Sequence, residues 1–427
     1  MNDIIHLDAA RAREAVDTAR RAAVVIGRGS VAFDGGDPVV ATSGGRIALG
    51  PPASPDEPPT TIGHFQTDLR LQGVRRLPVS VARELARHRG HIHLDGVASL
   101  TDGAAAAIAA HAGGGLALDG VRRLSATAAA ALGRHRGDLS LNGLRRLPDP
   151  VATGLAGHAC QLFLGGVERI SSRAAAALAL HGGDLHLNGL ESLPGRVAGH
   201  LARHRGKLHM HALKTLSCAA ARALGGRQGY LCLRGVRRLS PAQARSLARH
   251  RGPLHLYAID VTDAVAVFLG CHAGALLIKL PDDLPAHLLE PLVQHRGPLQ
   301  IAGIRTLDAS RARLFASQPC LGGVAGLSYL ALPDVAAITP PVAAILAAHR
   351  AGGLAMDGLK TMSVAVAREI VRHPLLALDG LESVTDPVAT ILATYRGHSL
   401  SLRRLRQASP AAVARLRDNP GIELPSL

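Results

Sequence analysis

Residues 201–206 read LARHRG, and nearly the same letters stand at 85–90 (LARHRG), 132–137 (LGRHRG) and 247–252 (LARHRG). A histidine that keeps returning beside arginine, just before a glycine, invites two readings. One is chemistry, as a metal ladder or a proton relay. The other is architecture, and the spacing favours it. An L-x-L pair opens a unit at Leu69, Ile92, Leu116, Leu139, Leu162, Leu185, Leu208, Leu231, Leu254, Leu276, Leu299, Leu330, Leu354, Leu376 and Leu400. Successive starts lie 22–24 residues apart, except for 31 from Leu299 to Leu330, an insertion near 320–329. A fixed period of this length marks a stack of supersecondary units, each too small to bury its own apolar face.

The shared pattern is L-x-L-x-G-[VL]-x-x-L-[SP], then an Ala-rich stretch with a Leu, then x-x-H-x-G. L-x-L-x alternates as a short strand does. Ser125, Ser171, Ser240 and Pro148 then stand where a helix N-cap or first turn belongs. In VSVARELARHRG, Val81 and Leu85 lie four apart, one face of a helix of two to three turns. The closing glycines, Gly90, Gly137, Gly206 and Gly252, suit the left-handed residue that follows a helix. Each unit is therefore expected to be strand, turn, short helix and turn.

On these motifs the chain resembles the leucine-rich repeat family, as a divergent bacterial-type member with repeats of about 23 residues, over roughly residues 66–427. It departs from the family pattern twice. The leucine three residues before L-x-L is replaced by Gln66, Arg89 or Gly113, and the position of the laddering asparagine is apolar at Val74, Val97, Val121 and Leu144. The resemblance implies a curved α/β solenoid, a horseshoe of about fifteen repeats with a parallel sheet on the concave face and short helices on the convex face. It implies binding of another macromolecule, usually a protein. A role as a host-directed bacterial effector would rest on that family analogy alone.

Nineteen residues after the repeat start stands His88, His111, His135, His158, His181, His204, His250, His295, His349 or His373, and His272 joins from a shorter repeat. Arg227, Gln318, Tyr395 and Asn419 fill the same position elsewhere. Stacking brings this column into register at the helix C-termini, where a ring N–H or a cation would satisfy the last carbonyls and the dipole. A column that tolerates arginine does not suit a metal, so a structural ladder is expected.

With both leucines of L-x-L inward, the residues one before, one after and three after the first leucine line the sheet face. Early repeats place Asp68, Asp95, Asp119, Asp138 and Asp184 there, and late ones Asp357 and Asp379. The middle strands differ, with Lys207, His209, His211, Tyr230, Cys232, Arg234, His255, Tyr257 and Lys279, and Tyr329 follows. Tyr and Arg are typical binding anchors, so this stretch is the expected recognition patch. His186, His209, Cys232 and His255 share one column on strands roughly 4.8 Å apart. That column is a weak zinc pattern and an ordinary outcome of surface drift.

Arginine pairs after the glycine turn, Arg75–Arg76, Arg122–Arg123, Arg145–Arg146 and Arg237–Arg238, form the competing site. As a stripe they could follow the phosphates of a nucleic acid or another polyanion. Glu168, Glu191 and Glu382 interrupt the stripe, and no aromatic residues interleave to stack bases.

The net charge of +16 comes from 44 Arg and 4 Lys in a chain of 427 residues with 47% apolar and only 2% aromatic residues and no Trp. Such a skew also follows from a GC-rich gene, so it does not by itself argue for a polyanion. Cys160, Cys218, Cys232, Cys271 and Cys320 are odd in number and never form CxxC, which speaks against a disulfide framework. The charged N-terminus lacks a secretory signal pattern and no apolar run approaches ~18 residues, so a reduced cytoplasmic protein is expected. No GxxxxGK[ST], HExxH or GxSxG occurs, and VVIGRGSVAFDG at 24–35 lacks the third glycine of a dinucleotide loop. A non-enzymatic binding protein without cofactor or metal is the expectation.

Residues 8–23 read as a helix with Ala12, Ala15, Val16, Ala19 and Ala23 on one side. Strand-like runs follow at Ala23–Ile26, Val31–Phe33 and Ile47–Leu49. Residues 1–50 are expected to cap the first repeat or form a small module, and the Pro-rich 51–65 to connect it. Ile422 and Leu424 look like a final strand with Pro420 and Pro425 beside it.

Overall fold

The structure, a computed structural model, describes residues 8–26, 30–34, 37–42, 45–48, 68–319, 329–349 and 352–425. One repeat shows how the sequence folds. Ile92–His93 is a strand, with Ile92 and Leu94 fully buried beneath it. The chain turns over the buried Val97, and the Thr101 hydroxyl accepts from Ala104 N (3.2 Å), capping the helix Asp102–Ala109. Asp102 in the first turn complements the helix dipole. Ala104, Ala105 and Ile108 are buried, and the helix closes in a tight turn in which His111 N donates to Ile108 O (3.0 Å). The chain then re-enters the sheet at Leu116, in parallel register with Ile92.

Other repeats follow the same plan. Ser125, Ser171 and Ser240 each accept from the backbone N–H three residues on, and Pro148 stands at the equivalent cap without a side-chain bond. In many helices the buried positions are alanine or valine beside one leucine, as in Ala128, Ala129 and Leu132. Small side chains let neighbouring helices approach closely, which is how a core is built with so few aromatics. Each fully buried leucine contributes about 2 kcal/mol, so stability accrues repeat by repeat.

The described residues fall into two compact units, Met1–Leu213 and Lys214–Leu427. In the first, parallel pairing runs from β4 (Asp68–Arg70) strand by strand to Leu208–His209. In the second it runs from Leu231–Leu233 to Ile422–Glu423, the expected final strand. Each unit is thus an α/β solenoid, with one layer of parallel strands, one layer of short helices and a leucine core between them.

At the start of the chain, α1 (Ala9–Ile26) packs on α2 (Val79–Leu85), burying Ala12, Ala15 and Val16. Arg13 of α1 pairs with Glu84 of α2 at 3.1 Å. β1 (Ser30–Asp34) lies parallel to β4 and antiparallel to β2 (Asp37–Thr42), which in turn pairs with β3 (Gly45–Ala48). The expected strand at Ala23–Ile26 is instead the last turn of α1, since no Gly or Pro interrupts that helix before Gly27. The connector and the insertion at 320–328 lie outside the described residues.

The closing glycines are also reassigned. Among the described residues, positive φ occurs at Gly303, Gly352 and Ala258, and not at Gly90, Gly137, Gly206 or Gly252. Closeness is what requires glycine there. A Cβ on Gly137 would collide with the carbonyl oxygen of Gly114, one repeat back.

Candidate functional site

The histidine column is a buried stack. His88, His111, His135, His158 and His181 follow one another in the first unit with ring centroids 5.5–6.4 Å apart, and His204 continues at 5.9 Å with a tilt. In the second unit, His250, His272 and His295 stack at 5.8 and 5.9 Å, and His349 on His373 at 5.6 Å. None of these rings is more than 3% exposed.

Their bonding differs from the sequence expectation. The helix carbonyl is taken by the histidine's own backbone N–H, as from His158 to Leu155 O (3.0 Å) and from His272 to Leu269 O (3.0 Å). At His111, His158 and His272 the ring reaches the neighbouring repeat instead. Nε2 meets the loop carbonyl of the preceding repeat at Gly90 from His111 (3.0 Å), at Gly137 from His158 (2.8 Å) and at Gly252 from His272 (3.1 Å). Three non-histidine members also donate to carbonyls of the preceding repeat. Gln318 Nε2 donates to His295 O and Gly297 O, the Tyr395 hydroxyl to Pro374 O, and Asn419 Nδ2 to Ala393 O and Tyr395 O.

The rings are neutral rather than cationic. Burial, followed by the neighbouring imidazoles, depresses His111, His181 and His272 to about 4, and burial alone does the same at His349. Neutral donors to loop carbonyls at His111, His158 and His272, with stacked rings between them, tie repeat to repeat.

On the sheet face of the first unit the polar side chains bond along the ladder. Before the strands, His91 Nδ1 accepts from Gly115 N (2.7 Å), Asp138 from Gln161 N (3.1 Å) and Asp184 from Lys207 N (2.8 Å). After the strands, Asp95 accepts from Asp119 N (3.3 Å), Asp119 from Asn142 N (2.9 Å) and Asn142 from Gly165 N (2.7 Å). This edge ladder supplies side-chain acceptors at a position other than the buried Val97, Val121 and Leu144. It was visible in the sequence as acids recurring at the two strand ends. Of the expected patch, Lys207 is ion-paired with Asp184 (3.2 Å) and so is compensated. His209 stacks on His186, and His186 on Phe163, each at 4.2 Å. His211 meets His209 edge-on at 5.8 Å.

The second unit carries the rest of the patch and divides it in two. Tyr230, Cys232 and His255 form one cluster. The Tyr230 hydroxyl lies 2.9 Å from His255 Nδ1, and the Cys232 sulfur lies 3.7 Å from the same nitrogen. Cys232 is 1% exposed, so it belongs to the core and not to the surface expected for it. Burial pushes its thiol up, and burial with Cys232 pushes the Tyr230 hydroxyl up to about 12.

Arg234, Tyr257 and Lys279 form the other group, on three adjacent repeats. The Arg234 guanidinium lies 4.4 Å from the Tyr257 ring centroid and Lys279 Nζ 4.7 Å. Lys279 Nζ also donates to the Tyr257 hydroxyl at 2.8 Å. Lys279, and behind it Arg234, hold that hydroxyl below the ordinary tyrosine value. Among the described residues, neither cation has a carboxylate within ion-pairing distance.

The backbone under this group is also distinctive. Leu254–Tyr257, Leu276–Lys279 and Leu299–Ala302 run four residues, whereas the other repeat strands run two or three. The first and last of the three are followed by left-handed residues, Ala258 at φ 52° and Gly303 at φ 91°. Ala258 N donates to Lys279 O (3.0 Å), which extends the ladder past Tyr257. A non-glycine residue in this region costs of order 1 kcal/mol or more and persists where its surroundings impose it.

The rim arginines Arg75, Arg76, Arg122, Arg123, Arg145 and Arg146 in the first unit, and Arg237 and Arg238 in the second, are all exposed. Arg145 pairs with Glu168 (2.8 Å) and Arg238 with Asp260 (2.9 Å). Among the described residues no helix is long and apolar enough to cross a membrane.

No family model and no curated protein matches this chain. Solved structures do. The Toll chain of the Drosophila Toll–Spätzle complex aligns at 15% identity and TM-score 0.36, over 84% of this chain and 46% of Toll, so that the match spans about half of Toll. An internalin from Listeria monocytogenes aligns at 14% identity and TM-score 0.30, over 85% of this chain and 87% of its own.

Proposed function

We propose that this chain is a non-enzymatic binding protein that recognises a protein partner on the sheet face of its second unit, around Tyr257. The observation that carries the reading is the group Arg234–Tyr257–Lys279, two uncompensated cations held against one aromatic ring, with Tyr257 and Lys279 on two of the longest strands of the repeat array. Interfaces draw their affinity from a few anchored aromatic and arginine side chains. A tyrosine already fixed by its neighbours loses little conformational freedom on binding.

The test is capture of partners from a cell extract by three forms of the protein. Wild type and a rim variant (R75A/R76A/R122A/R123A) should retain the same protein. A variant that obstructs the sheet face beside Tyr257, Leu277→Arg, should lose it. Leu277 is partly exposed and pairs with His255 and Gln300 across the ladder. Retention by Leu277→Arg would overturn the reading. Loss in the rim variant, with recovered nucleic acid released as salt rises, would assign function to the arginine rims as a polyanion site.

A further inference from the structure

We infer that Arg234, Tyr257 and Lys279 form a binding site for a pair of carboxylates two or three residues apart on an extended acidic segment of a protein partner. This rests on the reading above and gives its partner a chemistry.

Elsewhere on the described sheet faces, cations and carboxylates neighbour one another, as Lys207 does Asp184 and Arg403 does Glu423. Arg234 and Lys279 do not share in this. They flank a tyrosine ring that fixes both heads, and the Lys279 ammonium keeps two of its three protons after donating to Tyr257. Two like charges held near one ring repel each other, and an anion bound across them relieves that repulsion.

Geometry sets the spacing. Arg234 follows Leu231–Leu233 and Lys279 ends Leu276–Lys279, with Leu254–Tyr257 paired between them. Strands lie about 4.8 Å apart, so the two cations bracket roughly 10 Å across the sheet. An extended peptide advances about 3.3 Å per residue, so residues two apart face the same way about 7 Å from each other and residues three apart lie about 10 Å from each other. Flexible acidic side chains make up the difference in reach or direction. A carboxylate accepts two parallel bonds from a guanidinium, so Arg234 suits one acid and Lys279 the other.

The surroundings select an acidic segment over a nucleic acid. Around Tyr257, positive charge on this face is confined to the two heads, and the Arg403 cation further along is paired with Glu423. To one side stands the Tyr230–Cys232–His255 cluster, whose tyrosine hydroxyl and thiol stay protonated. To the other, the sheet positions are Gln300, Ala302, Ala331 and Ala355, followed by Asp357 and Asp379. A phosphate chain running across these strands would meet carboxylates within a few repeats, whereas a short acidic segment would not.

The test is fluorescence anisotropy of the full chain with labelled eight-residue peptides at about 50 and about 200 mM salt, the range over which exposed charge pairs weaken. The probes carry Glu-Gly-Glu, Glu-Gly-Gly-Glu, Gln-Gly-Gln or one Glu, beside a single-stranded DNA oligonucleotide of equal charge. The first two peptides should bind at least about tenfold more tightly than the Gln control. R234A/K279A should abolish that preference at unchanged Tm, and R234E/K279E should prefer Lys-Gly-Lys. The inference falls if Gln and Glu peptides bind alike, if R234A/K279A keeps the preference, or if the oligonucleotide binds most tightly in an Arg234- and Lys279-dependent way. Partner capture that still depends on Leu277 would then leave the binding surface standing and remove only its proposed chemistry.

Discussion

The histidine column and the Tyr257 group are built alike, one side chain per repeat held in register by the solenoid, yet they are opposites. In the column the residue type is nearly constant, the rings are buried, and hydrogen bonds run to the backbone of the preceding repeat. In the Tyr257 group three different residue types stand on adjacent repeats, the cations lack carboxylate partners, and two of the three strands beneath are among the longest of the repeats. The comparison teaches where to look in a repeat protein. A feature repeated in every unit answers to the contact between units, which every unit shares. A feature confined to two or three units answers to something outside the stack.

If that division holds, disturbing the column should cost stability and disturbing the Tyr257 group should cost binding. Acid is the strongest disturbance. The rings of His111, His181, His272 and His349 are held to about 4 in the folded chain, against about 6.5 when unfolded. Between those values the unfolded chain binds more protons, so stability rises with pH, is complete above about 6.5 and is lost as pH falls toward 4. Each ring removes about 1.4 kcal/mol per pH unit across that window, and the rings act together. Urea unfolding followed from pH 7.5 to 4.5 should show a steep fall in midpoint beginning below about pH 6.5. A flat profile would mean that the column is not a buried neutral stack.

The period, the strand leucines, the helix caps and the position of the column were all legible in the sequence, because they depend on spacing along the chain. What the histidine ring bonds to was not. The helix carbonyl and the neighbour's loop carbonyl both lie near a helix C-terminus, and only the distance between repeats decides between them. The expected surface patch met the same limit. Alternation placed Lys207, Cys232, Arg234, Tyr257 and Lys279 on one face, but the compensation of Lys207 by Asp184 and the burial of Cys232 are contacts across repeats. The acids at the strand ends were visible as a recurrence, yet their backbone partners lie about 23 residues away, a whole repeat on.

A single column position gives a smaller and sharper test. His158 is 1% exposed and its Nε2 holds Gly137 O at 2.8 Å. His158→Ala removes the ring and leaves that carbonyl without its side-chain donor, a loss of about 2–4 kcal/mol. His158→Gln should recover a good part of it, because Gln318 at the same position donates to the equivalent carbonyls of its preceding repeat. His158→Phe keeps a stacking ring without a donor and should fall between Ala and wild type. Equal losses for Gln and Ala in urea unfolding would mean that packing alone, without the hydrogen bond, sets the residue type.

The smallest effect expected is a gain, and it lies beneath the Tyr257 group. Ala258 occupies the position that is glycine in most repeats, and it does so at φ 52°. Gly303, at the same position of another four-residue strand, has φ 91°. Ala258→Gly therefore removes a left-handed penalty of about 1 kcal/mol at some cost in unfolded-chain entropy, leaving a net stabilisation of roughly 0.5 kcal/mol. The backbone bond from Ala258 N to Lys279 O is open to either residue, so the Tyr257 group should keep its geometry if the solenoid alone sets it. If the alanine instead stiffens the turn that presents Tyr257, the glycine variant will melt higher and bind its partner more weakly. A higher melting temperature with unchanged affinity would place the strain in the fold and not in the site.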